Sequence, residues 1–383
     1  MEERQTRMGG RQVYDDWMEK EGIPVYQAMN SVEDVTELPR RPWARTGGLG
    51  TFIQLEATKV ARAELYVLEI PAGRALEPEK HLYDEILYVL RGRGLAEVWH
   101  EGQGKVTFEW AEGSLFAIPL NAWHRLVNGG REPVLIFGQS GAPLMMNSLR
   151  NTEFVFNCPY SFTDRFTGET DYFVAGKERD REGGGSTWET NFVPDVRTCF
   201  LSDNPAKVES GRLTPFIMAA TAFGDVHSSE WPAGIYHKGH FHGPGAVLLG
   251  LKGEGYVLLW PRQYGIHPYQ DGHGDGVIKV PWKQHSIYAP QNEWFHQHFN
   301  TGREPARHLA LKGGGLGTEL PTLRKGVING VLTSVREAGG WLIEYEDEDP
   351  EIRRMFQEEL RQKGVEFAMK PVVYRTDSFK LSR

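Results

Sequence analysis

Two stretches of this chain carry the same punctuation. Gly73 to Asn128 and Gly234 to Asn300 begin 161 residues apart, and each runs from a glycine through charged and histidine-bearing loops to an asparagine. A repeat of that length is a duplicated domain, since solenoid repeats span only about 20–50 residues. Between the 44 glycines and 22 prolines lie short runs rich in aromatic and β-branched residues. ELYVLEI (64–70), EILYVLRG (85–92), GLAEVWH (94–100), SLFAIPL (114–120) and PVLIFG (133–138) read as strands. AVLLGLKGEGYVLLWP (246–261), HSIYAP (285–290) and RHLALKG (307–313) form a second set with the same cadence. Strand centres about ten residues apart predict an all-β barrel or sandwich, here twice over.

Helical signals are few. Residues 13–21 (VYDDWMEKE) predict a short helix, and 349–363 predict a longer one, with Asp349 as N-cap, Pro350 in the first turn, Ile352, Met355, Phe356 and Leu360 on one face, and Gly364 as the stop. The domain expectation is an N-terminal arm with a short helix (1–55), a first barrel (56–150), a linker with flanking strands (151–212), a second barrel (213–318) and C-terminal strands with a helix (319–383). The charged, glycine-rich stretch 176–196 is expected to be an exposed part of the linker. A net charge of −8 argues against a nucleic-acid or anionic-membrane partner. Cys158 and Cys199 stand far apart with no C-x-x-C, and the N-terminus shows no apolar leader, so a soluble cytoplasmic protein is expected.

Ten of the 13 histidines lie between residues 227 and 308. Scattered surface histidine covers His227, His267, His273 and His285, but not G-I-Y-H-K-G-H-F-H (234–242). On a strand, His240 and His242 would face one side about 7 Å apart. A third imidazole would come from P-Q-N-E-W-F-H-Q-H-F-N (290–300), which offers His296 and His298. Neutral imidazole suits Fe(II), Zn, Cu, Ni or Mn.

At these residues the chain resembles the cupin superfamily, whose first motif is G-x5-H-x-H-x3,4-E-x6-G and whose second is G-x5-P-x-G-x2-H-x3-N. Gly234, His240, His242 and Gly253 fall on the first motif, with Ala246 in place of its glutamate; Pro290, His296 and Asn300 follow the second with one extra residue, and Gln284 stands in the leading glycine slot. In the N-terminal half, Gly73, His81, Glu85 and Gly92 fit the first motif, with Glu79 in the first histidine slot. Gly113, Pro119, His124 and Asn128 fit the second, with Asn121 in the inner glycine slot. The resemblance implies two fused cupin (double-stranded β-helix, jelly-roll) barrels with a few peripheral helices.

Within that superfamily the C-terminal half is most similar to gentisate 1,2-dioxygenase and its salicylate-cleaving relatives, which use three histidines and lack the motif glutamate. It departs from them in carrying the full triad in the second barrel. The resemblance implies Fe(II) held by His240, His242 and His296, with Mn, Ni or Zn as other candidates, and oxidative ring cleavage of a hydroxylated aromatic acid by O2. His298 would serve beside the metal as a hydrogen-bonding or acid/base group, and Arg262 or Arg307 would hold a substrate carboxylate. Trp260, Trp282, Trp294 and Phe295 are candidates for the cavity wall. Glu79, His81, Glu85 and His124 are a second candidate metal set. Two other readings stand beside this one: a non-oxidative Zn, Mn or Ni cupin (lyase, isomerase, decarboxylase or hydrolase), and a non-enzymatic small-molecule binder. Edge strands and the family likeness together imply a homo-oligomer.

Overall fold

The computed structural model describes residues 12–58, 63–174, 176–180, 185–203, 211–218, 226–241, 246–312, 327–328, 331–377, 379 and 381. The chain folds into two jelly rolls, each a large sheet facing a small one. In the first, the large sheet runs in space Val25–Ala28, Gly48–Leu55, Glu64–Ile70, Val134–Ser140, Glu85–Arg91, Leu115–Ile118, Phe192–Val193. Its small sheet runs Trp123–Val127, Arg93–Trp99, Val106–Ala111. In the second, the large sheet runs Lys177–Asp180, Ser186–Glu189, Arg212–Ile217, Val226–Trp231, Ala306–Lys312, Ala246–Lys252, Ile287–Tyr288, Ser31–Val32. Its small sheet runs Ile278–Lys283, Glu254–Pro261, Trp294–Asn300.

The large-sheet strands read as unbroken apolar runs because they are buried on both faces. In Glu64–Ile70, Leu65 and Val67 join a core shared by the two barrels, while Tyr66, Leu68 and Ile70 fill the first barrel's interior. Ala246–Lys252 divides in the same way: Val247, Leu249 and Leu251 enter the shared core, and Ala246 and Leu248 face the second interior. Trp123–Val127, on a small sheet, instead alternates buried and half-buried residues.

Two sequence expectations change here. Residues 25–55, expected to be an arm, supply four strands, of which Ser31–Val32 pairs with Ile287–Tyr288 of the other barrel. Within 176–196, expected to be exposed linker, Phe192–Val193 pairs with Leu115–Phe116 of the first barrel, and Ser186, Thr187 and Thr190 are buried. Each half thus completes the other's large sheet. The two crossing strands, Ser31–Val32 and Phe192–Val193, lack the long apolar run of a two-face-buried strand, since each sits at a sheet edge. The two expected helices form, Val13–Lys20, and Pro350–Lys363 with the Asp349 side chain accepting from Glu351 N and Gly364 left-handed after it, and two short helices not foreseen from the sequence, Ala142–Leu149 and Thr152–Asn157, follow the first barrel. Pro350–Lys363 packs Phe356 against Tyr236 and Phe299. No described helix is long and apolar enough to cross a membrane.

The repeat is also visible in hydrogen bonds. Asn128 Nδ2 donates to the carbonyls of Ile70, Pro71 and Glu132, and its Oδ1 accepts from Gly130 N. Asn300 makes the same clamp to Trp231, Pro232 and Glu304, accepting from Gly302 N. Removing Asn300 would strand several buried carbonyls, so Asn300→Ala is expected to destabilise the second barrel by about 3 kcal/mol, read as a lower denaturant midpoint. The register also corrects the leading glycine slot. Gly113 N donates to Val89 O and Ser114 O accepts from Val89 N, just as His285 N donates to Gly250 O and Ser286 O accepts from Gly250 N, and both Gly113 (φ 91°) and His285 (φ 66°) are left-handed. His285, not Gln284, occupies that position.

Candidate metal centres

In the first barrel, Glu79 and His124 form an isolated antiparallel bridge at the mouth, His81 lies two residues beyond Glu79, and Glu85 opens the next strand. His81, Glu85 and His124 offer ligand atoms all within 4.8 Å of one another, and all three are buried. His81 Nδ1 is 2.9 Å from the Tyr83 carbonyl and His124 Nδ1 is 3.3 Å from that of Ala122. A carbonyl only accepts, so each Nδ1 carries the proton and each Nε2 turns its lone pair inward. Those Nε2 atoms lie 3.5 and 3.8 Å from Glu85 Oε2, and His81 Nε2 is a buried nitrogen without a hydrogen-bond partner. A buried lone pair left in that state fits a cation better than an empty core.

Burial works against a charged Glu85, but His81, His124 and the Tyr66 hydroxyl (2.6 Å) overcome it and hold the carboxyl down to about 2. Tyr66 reaches Glu85 because it lies across Gly138, where a Cβ would come within 2.0 Å of the tyrosine ring. Burial, with repulsion from His81, pushes His124 down to about 4. Glu79, expected among the ligands, stands apart: Arg45 binds its carboxylate, and its nearer oxygen is 4.0 Å from His124 Nε2.

The same barrel holds a second carboxyl. Glu64 accepts from Tyr14 (3.1 Å), delivered by the N-terminal helix, and from Ser140 (2.6 Å), which faces it across the sheet. Burial raises Glu64 to about 7 against the pull of Ser140 and Arg45.

In the second barrel, His240 and His296 form the equivalent isolated bridge, and His240, His296 and His298 offer ligand nitrogens within 4.8 Å of one another. His240 Nδ1 lies 3.0 Å from Lys238 O and His296 Nδ1 3.1 Å from Trp294 O, which again turns Nε2 inward. His242 lies outside the described residues. His298, expected as an auxiliary group, belongs to the cluster itself. Ala246 takes the wall position that Glu85 holds in the first barrel, and among the described residues no carboxylate joins the group. The cluster borders a cavity of about 30 Å3, room for one or two water-sized groups, lined also by His227, His237 and His308. His227, expected at the surface, is 8% exposed.

Arg307 does not reach this cavity. Neighbouring His308 faces it, so Arg307 points the other way, where it pairs with Glu230 and donates to the carbonyls of Val196 and Cys199. Arg262 is half-buried with its guanidinium over the Phe241 ring. Of the expected wall residues, Trp282 lies 4.3 Å from the His308 ring, while Trp260 and Phe295 stack on each other on the opposite face of their strands from His296. Trp294 supplies the carbonyl that orients His296.

Sequence reasoning missed His237, His308 and Tyr288. The signal was present in the repeat: inward positions Leu76, Phe116, Leu126 and Ile136 of the first barrel correspond to His237, Tyr288, His298 and His308 of the second. An apolar floor in one barrel is polar in the other.

Residues 66–137 match the family model for the cupin domain. Among solved structures, the chain is similar to Lactobacillus farciminis oxalate decarboxylase in its formate complex (9% identity, TM-score 0.48, covering 75% of this chain and 86% of that one). It is also similar to a variant oxalate decarboxylase of Bacillus subtilis (12%, 0.48, 77% and 82%) and to the coconut allergen cocosin (13%, 0.48, 76% and 86%). No curated protein matches the sequence.

Proposed function

We propose that this two-barrel cupin is a metal-dependent enzyme that carries out a non-oxidative, proton-transferring reaction (lyase, isomerase, decarboxylase or hydrolase type) on a small metal-chelating acid. The observation that carries this reading is the pair of carboxyls in the first barrel. Glu85 faces two imidazoles beside Tyr66, whereas Glu64 sits apart from them on Tyr14 and Ser140 and titrates near neutrality. Two carboxyls driven apart by their surroundings are the usual mark of divided roles, one binding charge and one moving a proton.

His81, Glu85 and His124 would hold Mn, Zn, Ni or Fe there, and His240, His296 and His298 a second ion. A bound divalent ion supplies Lewis acidity and orients a chelating acid. Tyr14 and Ser140 keep Glu64 in place whether or not it carries its proton, since a hydroxyl can donate or accept.

A second reading has one observation in its favour: the C-terminal donor set is wholly neutral imidazole, the type that resembles ring-cleaving Fe(II) dioxygenases. Metal analysis of protein purified without chelator separates the two. The expected result is close to two divalent ions per chain, with no O2 uptake on adding hydroxy, keto or hydroxy-aromatic acids. Iron with stoichiometric O2 uptake would support the dioxygenase, and a chain that takes up no divalent metal would sink both.

A further inference from the structure

In the floor of the second barrel, the Tyr288 hydroxyl lies 2.9 Å from His298 Nδ1 and 2.8 Å from His308 Nδ1. All three side chains are buried, at 0, 4 and 1% exposure. A phenol carries one proton, so it donates to one imidazole and accepts from the other. The two rings are therefore locked in opposite tautomers. If Tyr288 donates to His308, then His298 must give its Nδ1–H to the phenol oxygen, which leaves the His298 Nε2 unprotonated and able to ligate. If Tyr288 donates to His298, that Nε2 carries a proton and cannot ligate.

His240 and His296 have backbone carbonyls to fix their tautomers, as His81 and His124 do in the first barrel. For His298 the corresponding contact is a side chain, and a hydroxyl can serve in either sense. His308 Nε2 is buried with no hydrogen-bond partner in either sense, so a metal on His298 is what selects the order.

We propose that Tyr288 and His308 are positioning residues of the C-terminal centre: a proton-ordered relay, His298 Nδ1–H to Tyr288 and Tyr288 O–H to His308 Nδ1, sets His298 as a metal ligand. The inference rests on the reading that the His240, His296 and His298 cluster holds a metal. The first barrel has no such relay, because Phe116, Leu126 and Ile136 stand at its three positions. The relay also couples the centre to the floor: loading His298 places the His308 proton on Nε2.

The test uses the full chain carrying His124→Ala, so that the C-terminal centre is read alone, with Zn(II) as the probe. Affinity is measured against a chromophoric chelator, and tautomers by long-range 1H–15N correlation of the imidazoles. Tyr288→Phe is expected to weaken Zn(II) binding roughly 10–100-fold, the usual range for losing a group that orients a ligand. His308→Leu is expected to weaken it as well, because Tyr288 is then free to donate to His298. The double variant should bind no more weakly than Tyr288→Phe alone, since His308 acts only through the phenol. Additive losses, or affinity within about twofold of the parent in Tyr288→Phe, overturn the relay. Should the variants fold poorly, the parent decides: Zn-loaded protein must show His298 protonated on Nδ1 and His308 on Nε2, and the reverse pattern defeats the proposal. Absence of any Zn(II) uptake that His296→Ala abolishes would instead remove the metal reading beneath it.

Discussion

Glu64→Gln is expected to lower turnover by roughly 10²–10⁴-fold while both metals stay bound and the protein stays folded. Gln has the same shape, and its amide can meet the Tyr14 and Ser140 hydroxyls that now donate to the carboxylate. What it loses is the exchangeable proton of a group raised to about 7 by burial. The pH profile gives the sharper readout. Parent turnover should carry an ionisation near pH 7 that the variant lacks, in Mn(II)- or Zn(II)-loaded protein assayed on a hydroxy or keto acid that the parent converts. Full activity with an unchanged profile would remove Glu64 from the chemistry.

The second large effect is on stability. Glu348 is buried beneath the C-terminal helix, where it accepts from Tyr236 and from Gln297 (3.0 Å), and burial raises it from 4.5 to about 7. Between those two values the folded chain holds a proton that the unfolded chain has released. The stability present below about pH 4.5 is therefore lost as the pH rises through about 7. For one fully buried carboxyl this is on the order of 3 kcal/mol.

Buried histidines act in the opposite sense. Burial lowers His124 to about 4 and His308 to about 3, so the unfolded chain binds more protons below about pH 6.5 and stability falls on acidification. A comparison isolates the carboxyl. In chelator-treated protein, Glu348→Gln should gain on the parent by roughly 3 kcal/mol between pH 4.5 and 7.5, with the two denaturation curves parallel above that range. A difference independent of pH would mean that Glu348 stays ionised throughout.

Much of the architecture was legible because it is written locally. The runs 64–70, 85–92 and 246–261 are apolar at both parities, which is what a strand between two cores requires. Asp349, Pro350 and Gly364 bracket a helix by the backbone needs of its ends. The edge strands Ser31–Val32 and Phe192–Val193 were not legible, since two-residue pairings to a distant barrel leave no periodic trace. The sites divide in the same way. Spacing pointed to His81, Glu85 and His124 and to His240 and His296 as convergent groups. It did not separate Glu79 from them, because the deciding partner, Arg45, lies 34 residues earlier. Nor did it place Arg307, whose direction depends on strand parity against His308.

The amino-acid sequence on its own determined that a barrel would be built twice and that His81, His124, His240 and His296 would fall at motif positions of the two repeats, because turn glycines, strand runs and short-range spacings act through the backbone within a few residues. Only the tertiary structure decided which carboxyl burial raises, which imidazole nitrogen faces the cavity and that His298 joins the cluster. Protonation and ligation depend on burial and on distances of a few ångströms between groups that the chain separates by tens of residues, as Tyr14 is from Glu64 and Tyr288 from His308.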